Sequence, residues 1–190
     1  MKRKFIYILV IVSLSFNASA QKQIQFHSIN SAGFLMGQSS GNALLQTVNG
    51  IRFKNFFTGV GIGIDYYRYK TLPLFFDGRK YFGKKNNGFA YADLGYDFPL
   101  KNKPGKEILY YGTYKFNEGI YTDFGLGYKW KLIKKASFLL SAGYSYKKIF
   151  EKIGTTNPGI DCAIGISCPV DYTTYNYGFG RIVLKAGVDF

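Results

Sequence analysis

The sequence predicts an all-β chain, an eight-stranded antiparallel up-and-down barrel that crosses a membrane with both termini on the periplasmic side. Three observations predict it. Apolar and polar residues alternate with a period of two through most of the chain after residue 55, the pattern of strands with one greasy face. Tyr (17), Phe (18) and Gly (23) are abundant and Pro (5) is scarce, which favours strands over long helices. No apolar stretch after residue 20 is long enough for a membrane helix, so any membrane must be crossed by strands.

The first twenty residues set the compartment. Lys2, Arg3 and Lys4 form a basic start, and Phe5 to Phe16 is apolar apart from Ser13 and Ser15. Asn17-Ala18-Ser19-Ala20 then supplies the small residues of a cleavage site before Gln21. The run is short for a bilayer span and ends in a processing signal, so residues 1–20 read as a signal peptide and 21–190 as one barrel domain.

The clearest strands come after this leader. Phe56–Tyr66 sets Val60, Ile62 and Ile64 against Gly59, Gly61, Gly63 and Asp65. Leu72–Phe82 puts Asp77 and Arg79 opposite Leu74 and Phe76, and Phe89–Phe98 puts Asp93, Gly95 and Asp97 opposite Leu94 and Tyr96. Gly119–Trp130, Ser137–Lys148 and Gly180–Phe190 repeat the scheme, with Asp123 and Lys129, then Lys147, then Arg181 and Lys185 on the polar face. Two earlier segments, Phe26–Gly37 and Ala43–Phe53, complete the eight with a blurred pattern. Turn-forming residues place the two longest connections at Leu100–Glu118 and Glu151–Thr174. Both are odd-numbered, and odd connections of an outer-membrane barrel face outward.

Alternation alone does not say which face is outside, and a soluble lipocalin-like barrel would turn the Val/Ile/Leu face inward. The polar face is also the glycine-rich face, which suits the crowded interior of a narrow barrel. Aromatics gather at strand ends on the apolar face (Phe56, Tyr66, Tyr96, Phe98, Tyr128, Trp130), in the manner of interfacial girdles. The last strand alternates Ile182, Leu184, Ala186, Val188 and ends on Phe190. That ending resembles the assembly signal read by the barrel-assembly machinery, with Val188 where a second aromatic is common. In length, strand count and composition the chain resembles small outer-membrane barrels of the OmpX-like and OmpA-barrel-like class. Its Tyr-, Lys- and Gly-rich style is similar to the outer-membrane β-barrel domains of Bacteroidetes. The resemblance implies a monomer in contact with outer-membrane lipid and lipopolysaccharide.

The formal charge is +14. The excess lies largely near chain reversals, at Lys84 and Lys85, Lys101 to Lys106, Lys134 and Lys135, and Lys147 and Lys148. It forms no continuous stripe, which argues against nucleic acid and for anionic lipid headgroups or a solvated rim. Inside the barrel, Asp65, Asp77, Arg79, Asp93, Asp97, Asp123, Lys129, Arg181 and Lys185 are expected to pair as a polar plug, since unpaired buried charge is costly. A proton or conduction pathway along them is the alternative. Cys162 and Cys168, close together in an exported chain, read as a disulfide. The spacing fits no metal site, and no cofactor motif occurs.

His27 is the one candidate general base, near Ser28 and Ser31 but without a nucleophile motif, so it reads as a strand residue. A lipid A-modifying enzyme is the alternative it leaves open. The connection carrying Lys101, Lys103, Lys106, Tyr110, Tyr111 and Tyr114 mixes bases with aromatics and could bind glycans, phosphates or a partner. A non-enzymatic barrel with a structural or surface-interaction role is the function expected; a narrow pore or a lipocalin-like carrier are further alternatives.

Overall fold

The computed structural model describes residues 24–37, 41–66, 70–100, 112–156 and 170–190. The leader, Lys101, Lys103, Lys106, Tyr110, Tyr111, Cys162 and Cys168 lie outside them. Every regular element described is a strand: β1 (Ile24–Met36), β2 (Gly41–Phe53), β3 (Phe56–Tyr66), β4 (Lys70–Phe82), β5 (Gly88–Pro99), β6 (Gly112–Asn117), β7 (Gly119–Lys131), β8 (Ser137–Thr156) and β9 (Val170–Asp189).

All pairings are antiparallel, β5 pairs with β7 and β6 with β8, and β9 pairs with both β8 and β1, so the sheet closes on itself. Eight strands make the ring, because β6 and β7 are two stretches of one strand on the same neighbour, β8. Between them the register changes by one residue: Asn117 faces Phe150, while Tyr121 faces Lys147. Four steps on one side against three on the other make a β-bulge. Gly119 sits in it, where a Cβ would fall 1.5 Å from the Lys148 carbonyl oxygen, so only glycine lets the two backbones approach.

The ends of the barrel differ. At one, here the turn end, short connections join β2 to β3, β4 to β5 and β7 to β8. The chain reverses through Lys54 and Asn86, each at φ 52°, and Gly83 at φ 87°. The beginning of β1 and Phe190 meet there through paired backbone hydrogen bonds between Ser28 and Phe190. At the other, the loop end, β8 and β9 run on together to Thr156 and Val170, with β6 beside them.

Two of the expected connections are therefore shorter than the sequence suggests. Residues 112–117 of the first, Tyr114 among them, are strand, and so are residues 151–156 and 170–174 of the second. The Thr- and Tyr-rich run from Tyr172 to Tyr177 has high strand propensity but no apolar alternation, since from 171 to 176 it is exposed on both faces. Alternation reports one-sided burial and is silent there. Lys147 and Lys148 likewise lie within β8, not at a reversal.

The apolar face is outside. Ile62, Leu126 and Leu184 are 43%, 62% and 44% exposed, whereas Asp123 and Arg181 are 1% and 9% exposed. Exposed aromatics form two belts: Phe26, Phe56, Phe82, Tyr128 and Trp130 near the turn end, and Phe34, Tyr66, Tyr96, Phe98 and Tyr144 nearer the loop end. Between them lie Val60, Leu74, Phe76, Leu94, Phe124 and Leu140, all exposed. An apolar ring around the whole wall far exceeds the patches that a soluble monomer tolerates in water. This arrangement excludes the lipocalin-like alternative.

Candidate functional site: the filled lumen

The interior is built from rows of residues that face one another across neighbouring strands. One row runs Gly59, Asp77, Asp93, Asp123, Ser145 and Arg181 from β3 to β9. It sets three carboxylates side by side, which is destabilising unless cations reach them. Arg79, two residues along β4, supplies one: its Nε and Nη2 donate to Asp77 at 3.0 and 2.7 Å. Lys185 of β9 supplies the other, with Nζ 2.9 Å from Asp123 and 3.4 Å from Asp93. The Tyr91 hydroxyl donates to Asp123 at 2.9 Å, and the Lys185 ammonium lies 4.1 Å from the centre of the Tyr91 ring. Lys185 also donates to the Gln46 amide oxygen on β2, and Gln46 donates to the Tyr121 hydroxyl at 2.7 Å. The network thus ties β2, β5, β7 and β9 together through the middle of the barrel.

A second charged layer lies toward the loop end. Lys147, completely buried on β8, places Nζ 2.5 Å from Asp65 of β3 and 2.9 Å from Asp97 of β5, and donates to Thr71 of β4. Thr71 donates in turn to Asp65. The sequence sets Lys147 both near a reversal and on the polar face of its strand; the structure keeps it on that face, buried within β8. A third group closes the turn end, where Asp189 accepts from His27 Nδ1 at 2.6 Å and from Lys129 at 3.4 Å.

Between the layers the lumen is packed with rings. Phe57, Phe75, Tyr81, Phe89, Tyr91 and Tyr121 join Ile29, Val48 and Leu139 in one buried cluster. Leu35, Leu44 and Val183 form a second. These aromatics share the odd face with the charges, so a reading of that face as small or charged missed them. The glycines make room for them: Gly61 lies opposite Phe75, and Gly127 opposite Phe89. A Cβ on either would fall 2.3 Å from the facing ring.

The sequence-selected residues Asp65, Asp77, Arg79, Asp93, Asp97, Asp123, Lys129, Arg181 and Lys185 all face inward. The structure divides them among separate layers instead of one network. Among the described residues no cluster suited to a metal occurs. A basic hollow of about 690 Å³ opens at the turn end.

Comparison of the whole fold with solved structures then gives its class. The outer-membrane protein AlkL, determined by solid-state NMR in lipid bilayers, aligns with a TM-score of 0.51 over 92% of this chain and 92% of its own, at 10% identity. OprG from Pseudomonas aeruginosa aligns with a TM-score of 0.50 over 86% of this chain and 94% of its own, at 15% identity. The fold is that of an eight-stranded outer-membrane β-barrel. No protein-family model matches the chain, and no curated protein does. At these identities the likeness concerns fold alone, and function has to be argued from the lumen and the surface.

Proposed function

We propose that this protein is a closed outer-membrane barrel with a structural and surface-interaction role, carrying no catalytic site. One observation carries the reading. Lys147 and Lys185 each reach from one wall to carboxylates on strands across the interior, so charge and rings occupy the space a channel would need. An eight-stranded barrel is just wide enough for its own side chains to fill. His27, held on Asp189, serves in this reading as a structural partner.

Several finer expectations belong to the same proposal. The turn end and both termini face the periplasm, Phe190 acts as the assembly signal, and the strands β6, β8 and β9 project outward. Cys162 and Cys168 close a disulfide, and Lys101, Lys103, Lys106, Tyr110, Tyr111 and Tyr114 contribute to a recognition surface for lipopolysaccharide or a glycan. The kinship with OmpX-like and OmpA-barrel-like proteins and with the Bacteroidetes domains rests on length, strand count and composition.

Planar-bilayer recording tests the central point: the refolded protein should give no steady conductance. A persistent conductance that Asp93→Asn or Arg79→Gln abolishes would establish a pore instead. A His27→Ala strain should keep its lipid A composition, and an altered composition would restore the enzyme reading.

A further inference from the structure

The hollow at the turn end is lined by more positive charge than the protein neutralises. Asp189 is the acidic side chain in its lining, and His27 and Lys129 already hold it. Arg52, Lys85, Lys131, Lys134 and Lys135 complete the basic lining, and among the described residues none of these five forms an ion pair. A main-chain carboxylate at Phe190 would still leave the balance strongly positive. The hollow is a product of the fold, because the bases come from three separate places. Arg52 is the last residue but one of β2, Lys85 sits in the β4–β5 turn, and the other lysines flank or form the β7–β8 turn. The Lys129 amide donates to the Asn87 carbonyl at 2.7 Å, and the Leu132 and Ile133 amides to the Ala136 carbonyl at 3.1 Å, so both turns are fastened. On its inner side the Arg52 guanidinium lies 4.0 Å over the Tyr81 ring.

A concave site with low-dielectric walls concentrates the field of such charges and attracts an anion that carries more than one oxygen acceptor. The outer flank of the hollow decides what kind of anion. Phe26 and Phe190 line it too, and they are 70% and 57% exposed on the lipid-facing side, level with the lower aromatic belt. The site is therefore amphipathic, cationic within and apolar toward the bilayer. A free anion has no use for the apolar flank, whereas a phospholipid places its phosphate among the lysines and its first methylenes against the two rings.

We infer that the turn-end hollow binds the phosphate headgroup of an anionic phospholipid from the adjoining leaflet. The inference rests on the barrel reading above, since only a membrane-embedded wall presents Phe26 and Phe190 to acyl chains. Holding a lipid there would neutralise bases that otherwise repel one another across the mouth, and would fix the depth of the barrel in the bilayer.

The test uses the full chain, folded in a non-ionic maltoside detergent, with binding read by native mass spectrometry. Dioctanoylphosphatidylglycerol should be retained at least tenfold more tightly than dioctanoylphosphatidylcholine. The variant Lys131→Gln/Lys134→Gln/Lys135→Gln should weaken the anionic lipid by on the order of tenfold or more, given the worth of a lysine near anionic headgroups. A control losing as much charge outside the hollow, Lys54→Gln/Lys80→Gln/Lys84→Gln, should keep the binding. Equal retention of the two lipids, or equal loss in both variants, would overturn the site. Displacement of the lipid by inorganic pyrophosphate at similar concentration would make it a site for free anions, which also overturns the lipid assignment. Failure of the barrel reading is separate and visible beforehand, as a band whose gel mobility does not change on boiling.

Discussion

Lys185 shows how a single side chain can hold an interior together. It serves Asp93 and Asp123 at once, so Lys185→Met leaves two buried carboxylates without their cation. Breaking a buried ion pair from one side typically costs about 3–5 kcal/mol. Urea unfolding in lipid vesicles should show a loss of that order, and a change below about 1 kcal/mol would mean the charges are not buried as described. The glycines make the opposite point. At Gly61 the nearest atoms to an added Cβ all belong to the Phe75 ring. Gly61→Ala should therefore cost about 1–3 kcal/mol through overpacking, and Phe75→Leu in the same chain should recover part of it. If the two changes simply add, the ring and the glycine are not complementary.

At the level of elements, the bulge at Gly119 divides one long strand into β7, paired on both sides within the ring, and β6, paired with β8 alone. Gly119→Ala would drive its Cβ into the Lys148 carbonyl and disturb the hand-over of β8 from β7 to β6. Hydrogen exchange at Gly112–Asn117 should then accelerate by about tenfold or more, while amides around Asp93 and Asp123 stay protected. Uniform acceleration would show that β6 is integral to barrel stability. The same reasoning makes the far ends of β8 and β9 dispensable to the ring. Replacing residues 152–174 by a short turn should leave a barrel that still shifts in gel mobility on boiling. A chain that no longer does so would place stability in the projection.

The whole molecule is an inverted soluble protein, with its aliphatic side chains on the rim and its ions at the axis. Closure is what permits this, because around the ring each described strand is paired on both sides, as a medium without water requires. Without detergent or lipid the apolar ring around Phe76, Leu94, Phe124 and Leu126 should drive association. Light scattering on the refolded chain should show monodisperse particles only above the critical micelle concentration. A monodisperse protein in plain buffer would contradict the orientation of every strand.

Strand positions and facing were legible in the sequence because a one-sided environment imposes a period of two on the residues. Phe56–Tyr66 was legible to its ends, and Asp123 against Leu126 gave the facing of β7. The pattern itself is the same for a barrel turned either way, and the choice leaned on glycines, girdles and the ending at Phe190. What remained hidden depends on neighbours far along the chain. Alternation says that Lys147 and Asp65 face inward, but only the register of eight strands brings their charged atoms within 2.5 Å. The same is true of the rings set over Gly61 and Gly127, and of the basic hollow assembled from separate turns. Local sequence determined which way each side chain points, since that follows from the backbone of its own strand. Which side chains meet was decided by closure, because the shear of the ring alone determines what lies across the axis.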